Sequence, residues 1–293
     1  MADTSAENKN HSNKIFLVGL ARAFAGAIIF SFPLVMTMEM WSLGITIEPL
    51  RLALFMFLAV PLLVGLSYFI GFENTSCLKD DVIDAFVAYA VGFITSAALL
   101  LLFSLVNFGM SWAELIGIIS IQAVIAAIGA LLAQSQLGQS DDDSENEDED
   151  EAEQEQNVER RNTTYGGQLF LMGVGAIFLA MNPAPTEEIV LIGYKMTDAH
   201  IIALALGTII LMHAFVYKVE FRGQESRHPP ESSILSVLMR YTIVGYALVL
   251  LISFYLIWTF GHVEGLSAEH IVKTVVVMSF PGALGAAASR LIL

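Results

Sequence analysis

"GAIFLAMNPAPTEE", residues 175–188, breaks an apolar run with two prolines and two adjacent carboxylates. "GAIIFSFPLVMTME", residues 26–39, does nearly the same in the other half of the chain. Both open Gly-Ala-Ile, both hold proline in the middle, and both reach a threonine (Thr37, Thr186) and then a glutamate (Glu39, Glu188) at matching steps. Two looser matches come after them in the same order. "YAVGFITSAALLLLFSLVNFG" (89–109) resembles "YTIVGYALVLLISFYLIWTFG" (241–261), and "SWAELIGIISIQAVIAAIGA" (111–130) resembles "SAEHIVKTVVVMSFPGALGA" (267–286). Three matches in register predict one four-helix unit used twice. An even number of spans per unit makes the two units parallel, related by an axis along the membrane normal.

Composition agrees with a membrane setting. Of 293 residues, 56% are apolar and 15% charged, with a mean hydropathy of +0.67. Soluble domains carry about a quarter of their residues as charges. The net charge of −15 is concentrated in one segment: "DDDSENEDEDEAEQEQNVE" (141–159) holds 12 of the 29 acids and no base. Such a like-charge block, with almost nothing apolar to bury, is expected to be a disordered spacer. No basic footprint for nucleic acid exists. A single cysteine, Cys77, excludes an internal disulfide and any cysteine-based metal cluster. Glycine loops for phosphate, haem-ligand patterns and serine-nucleophile motifs are lacking, so no cofactor and no enzymatic activity are expected.

A membrane helix needs about 20 mostly apolar residues. Eight segments meet that length, near 15–38, 50–71, 83–106, 114–136, 167–194, 199–217, 233–260 and 268–291. The chain therefore reads as an all-α membrane protein of two parallel four-helix repeats. A polar N-terminal tail covers 1–14, the first repeat 15–136, the acidic linker 137–165 and the second repeat 166–293. The tail lacks the apolar core of a removable signal peptide. Lysine and arginine set the orientation. Lys9, Lys14, Lys79, Arg160, Arg161, Lys218, Arg222, Arg227 and Arg290 fall on the side of the termini and linker, against Arg51, Lys195 and Lys273 on the other. That bias puts both termini and the linker in the cytoplasm, as in a multi-pass protein of a cell's inner membrane. Trp41, Trp112 and Trp258 then fall near the outer interface.

Ionisable groups at membrane depth are costly and point to function. Glu39 is followed by "MWSLGITI" and Glu188 by "IVLIGY", so neither stands at a clean polar boundary. Pro183 and Pro185 cannot donate to the carbonyls of Leu179 and Met181, and Pro33 likewise frees that of Ile29. Freed carbonyls need a protein partner or a water-filled cavity. "APTEE" also reads as a helix start, where the helix dipole favours carboxylates. Carbonyls, the Thr37 and Thr186 hydroxyls, and Glu39, Glu187 and Glu188 are the oxygen ligands that a hard cation or a relayed proton requires. Against this stands a simpler reading, in which proline kinks are ordinary and glutamates near the outer face reach water. Arg22 and Arg240 lie about two turns inside the cytoplasmic ends of their spans. They snorkel to the interface, or else pair with carboxylates such as Asp84 or hold a gate closed. His213 in "LMHAFVYK" reads as a packed or interfacial histidine.

"RAFAGAIIFSFPLVMTMEMW" (22–41) together with "PAPTEE" (183–188) resembles a family of bacterial integral membrane proteins of unknown function, across nearly the whole membrane part. That resemblance brings a membrane location and no activity. A weaker similarity, through Arg22, Phe24, Thr37 and Glu39, is to lysosomal-type potassium channels of two repeats, although "FAGA" stands where they carry Phe-Ser-Asp-Gly. Intramembrane proteases of the CAAX-processing type share the Glu187–Glu188 pair. Here Ile192 stands where their arginine is needed, and Ile209 where a phenylalanine precedes the histidine. The expectation is a cation or proton transporter or channel with its path along the paired threonine–glutamate motifs. A non-catalytic scaffold or stress-related protein is the alternative. The lipid bilayer is the implied partner; the identity of the ion, any metal and the oligomeric state stay open.

Overall fold

A computed structural model of the chain describes residues 2–70, 78–107, 109–138, 164–223 and 238–292. The acidic run 141–159, expected to be disordered, lies outside the described residues, as do Cys77, Arg160, Arg161 and Arg227. Among the described residues all regular structure is helical. Two compact units emerge, one of residues 1–45 and 56–158, the other of residues 46–55 and 159–293.

In the first unit, α1 (Ala2–Val35) ends in a two-residue break and is followed by the short α2 (Met38–Thr46). Then come α3 (Pro49–Ile70), whose first turns count with the second unit, α4 (Leu78–Leu102) and α5 (Trp112–Gly138). Helices α1 and α4 both pack on α5. The close crossing of α1 and α5 depends on glycine, because a Cβ on Gly26 would run into the Gly129 carbonyl and Ala133. Small residues at such crossings let membrane helices gain dispersion contact that water exclusion does not supply in lipid. On the buried face of α5, Gln122 Nε2 donates to the Ser31 carbonyl at 2.7 Å. Leu100, Val106 and Ile118, with Trp41 against them, form a core near the α2 end.

The second unit contains α6 (Tyr165–Ala180), α7 (Glu188–Lys195), α8 (Asp198–Gly223), a π-helical turn (Leu238–Ile243) running into α9 (Val244–Thr259), and α10 (Ala268–Ile292). Thr164 caps α6, its hydroxyl accepting from the Gly167 N–H at 3.2 Å. Helix α10 is the hub, packing on α6, α7, α8 and α9. Gly175 of α6 meets Gly285 of α10 backbone to backbone, so a Cβ on either would collide with the other's carbonyl. Met172, Ala176, Met212, Tyr246, Val249 and Ala286 fill the core around that crossing. The Tyr246 hydroxyl and Ser279 Oγ lie 3.1 Å apart within it.

Seven helices among the described residues are long and apolar enough to cross a membrane: Leu17–Val35, Pro49–Phe69, Leu78–Leu102, Trp112–Ala133, Asp198–Phe215, Leu238–Thr259 and Ala268–Ser289. The remaining segment, expected as one span over 167–194, is not a single helix. It stops at Ala180, turns through 181–187, and restarts as the eight-residue α7. The reason is local, since neither Pro183 nor Pro185 can supply the N–H that an uninterrupted helix needs at those positions.

Candidate functional site

The break between α6 and α7 is a folded turn. Met181 N–H bonds to the Ile177 carbonyl at 2.9 Å, Asn182 N–H to Leu179 at 3.3 Å, Ala184 N–H to Ala180 at 3.0 Å and Thr186 N–H to Pro183 at 3.0 Å. The Leu179 carbonyl, expected to be left open by Pro183, is thus taken by Asn182 one residue earlier. The Asn182 side chain adds a long contact from Nδ2 to the Phe178 carbonyl at 3.4 Å. Thr186 spends its hydroxyl proton on the Pro183 carbonyl at 2.8 Å. Ala184 and Pro185 are buried, while Glu187 and Glu188 are exposed at the start of α7, where the helix dipole favours carboxylates.

The connection from α9 to α10 closes over this turn. Gly261 and Gly265 take positive φ angles of 81° and 75°, which lets the chain double back in a few residues. His262 Nε2 then lies 2.9 Å from the Ala184 carbonyl. As the carbonyl can only accept, the ring must carry its proton on Nε2 there. Such a bond contributes about 1 kcal/mol. The two segments enclose a cleft of about 540 Å³ lined by Glu187, Glu188, Tyr194, His262 and Glu264. Three of these lining residues are carboxylates, and Glu264 among them is ion-paired with Arg51.

Neighbouring contacts hold α7 in place. Tyr194 stacks on the His270 ring with centroids 3.9 Å apart. Lys273 Nζ bridges Asp198 at 2.8 Å and Glu269 at 2.7 Å, joining the head of α8 to the first turn of α10. Arg51, at the head of α3, forms an ion pair with Glu264 at 2.8 Å and another with Glu48 at 3.2 Å. Among the described residues no group of three or more histidines, cysteines or carboxylates is arranged to hold a metal ion.

The other candidates from the sequence lie elsewhere in the two units. Thr37 donates its hydroxyl to the Leu34 carbonyl at 2.8 Å, and Glu39 is half-buried in the first turn of α2. Pro33 sits inside α1, three residues before that break. Arg22 is half-buried in α1 and Asp84 is buried in α4, both within the first unit. Arg240 is exposed in the π-helical turn, where its own carbonyl accepts from the Tyr165 hydroxyl at 2.8 Å. His213 is half-buried, with Nδ1 3.0 Å from the hydroxyl of the buried Thr242. Trp258 is covered by the Arg51 guanidinium, 5.2 Å from the ring centroid, whereas Trp112 is exposed. His262, Glu264, Tyr194 and Arg51 do not stand out as site residues in the sequence. The one legible signal is the pair of glycines in "FGHVEG" (260–265), which marks a tight turn between two spans.

No curated protein and no solved structure matches the chain. The sequence model of one family, integral membrane proteins designated DUF2391 and of unknown function, matches residues 19–293. That span takes in both broken segments, the acidic cleft and every candidate residue above, and the chain belongs to this family of integral membrane proteins.

Proposed function

We propose that the protein is a transporter or channel for a cation or a proton, which it captures at the acidic cleft beside the α6–α7 break. The observation that carries this reading is the convergence of Glu187, Glu188, Glu264 and His262 on one cleft in a chain that is otherwise mostly hydrocarbon. Carboxylates held there attract a cation, and a histidine among them can pass a proton. Thr37 and Glu39 at the first break, and Thr186 and the glutamate pair at the second, are the candidate path residues within their own units. The reading makes the protein a carrier and not an enzyme.

The same reading takes the chain as one four-helix unit built twice, eight segments in all, with the short α6 as the eighth. What supports it is that residues paired by the sequence matches make the same contacts. Gly26 meets Gly129 as Gly175 meets Gly285. Gly44 lies on Ile118 as Gly193 lies on Thr274. The Thr37 and Thr186 hydroxyls each bond to the carbonyl three residues back, both at 2.8 Å. The bias of lysine and arginine favours cytoplasmic termini in an inner membrane, with the cleft on the opposite face.

The test is ion and proton flux in proteoliposomes, comparing the native protein with Glu39→Gln/Glu187→Gln/Glu188→Gln. Flux in the native protein that the folded triple variant loses is the expected result. No flux from the native protein across the common monovalent and divalent cations would sink the transport reading in favour of a scaffold.

A further inference from the structure

Few basic residues stand on the cleft side of this protein, and Arg51 is engaged more fully than any surface ion pair requires. Its side chain is only 15% exposed, although its partners Glu48 and Glu264 are 56% and 68% exposed. One guanidinium nitrogen, Nη1, donates to the Trp258 carbonyl at 3.0 Å. Nη2 faces Glu264 at 2.8 Å, Nε lies 3.2 Å from Glu48 without a hydrogen bond to it, and the guanidinium lies over the Trp258 indole. One turn further along α3, the Phe55 ring packs on Phe260 with centroids 5.9 Å apart. The head of α3 therefore grips the residues on both sides of Trp258–Phe260, just before the chain turns at Gly261.

Immediately beyond the gripped residues the chain forms the rim of the cleft, since His262 and Glu264 are its next two polar side chains. Exposed ion pairs alone contribute little, typically under about 1 kcal/mol. The carbonyl bond and the cation–π contact differ, because they are made by a guanidinium withdrawn from water. Only arginine offers a planar fork that can serve a carbonyl, a carboxylate and a ring at once; a lysine ammonium is a point charge that reaches one or two of them.

We propose that Arg51 is the positioning residue of the acidic cleft: it holds the Trp258–Glu264 turn so that His262 stays on the Ala184 carbonyl and Glu264 stays on the rim. Its functional meaning rests on the cleft being the place of cation capture, while its structural content stands apart from that. The experiment pairs two readouts on the full chain in lipid, hydrogen exchange at the amides of 260–266 and cation flux as a function of cation concentration. In Arg51→Gln, exchange across 260–266 rises about tenfold or more while α9 and α10 stay protected. The half-saturating cation concentration rises several-fold with the maximal rate retained. Arg51→Lys falls between, and Glu264→Gln, on the exposed partner, gives a smaller rise in exchange across 260–266.

Exchange in Arg51→Gln and Glu264→Gln equal to that of the native protein would overturn the proposal. So would faster exchange with an unaltered concentration dependence of flux. A native protein that moves no ion would remove the transport reading, and the exchange measurement would still decide whether Arg51 holds the turn.

Discussion

The chain breaks a helix twice, and the two breaks are built differently. Between α1 and α2 only Met36 and Thr37 are non-helical, and Glu39 is half-buried in the turn beyond them. Between α6 and α7 seven residues turn before helix resumes, two of them proline, and both glutamates stand exposed. Both breaks share one device, a threonine hydroxyl on the carbonyl three residues back. The difference lies in proline position. Pro33 comes before the break, inside a helix that continues to Val35, so the chain bends and recovers. Pro183 and Pro185 come in the break itself and remove two donors from a single turn, so the chain must find other partners and opens a cleft while doing so. Pro33 lies four residues before Thr37 and within the helix, whereas Pro183 and Pro185 lie three and one before Thr186 and within the break.

The strongest test of the likeness is at the helix crossings. Gly26→Val and Gly175→Val each force a side chain into a facing backbone, and each is expected to destabilise the folded protein by about 3 kcal/mol, the upper range for overpacking. Thermal unfolding in detergent measures this. Gly173→Ala is the control, as its new Cβ would meet only Leu248 and Ile252 at ordinary contact distance, 3.5 and 3.7 Å. One glycine of the pair tolerating valine would break the equivalence.

A middle-sized effect separates the breaks. If the cleft is the capture point, Glu187→Gln/Glu188→Gln lowers cation flux about tenfold, equivalent to roughly 1.4 kcal/mol, and Glu39→Gln alone lowers it less. Equal losses from the two would mean that the breaks work alike despite their different shapes. The smallest expected effect is the sharpest check on what they share. Thr37→Val and Thr186→Val each remove one hydroxyl–carbonyl bond and should cost about 1 kcal/mol. Costs that differ by more than the bond itself would show that one threonine does something the other does not.

Much of the architecture is legible in the sequence because it obeys local rules. Apolar length marks the long helices, since hydrocarbon thickness sets one requirement for every span. Proline marks both breaks, though not their outcome: 167–194 reads as one span because its apolar character persists past the prolines. What proline withdraws is legible and what replaces it is not, so Asn182 taking the Leu179 carbonyl is a correction that only the fold supplies. The glutamate pair stands out for its cost in a membrane. His262 and Arg51 do not stand out. His262 meets Ala184 across 78 residues and Arg51 meets Trp258 across 207, and periodicity says nothing about which loop will close on which.

The division of α3 has a practical corollary. Residues 46–55 count with the second unit, while the rest of that helix counts with the first. A cut in the acidic segment, the obvious place to separate the two halves of the gene product, would leave the C-terminal fragment without Arg51. Glu264 and the Trp258 carbonyl would lose their shared donor, and Phe260 the ring it packs on. Fragments made from one cut chain should therefore regain a native cleft only when expressed together.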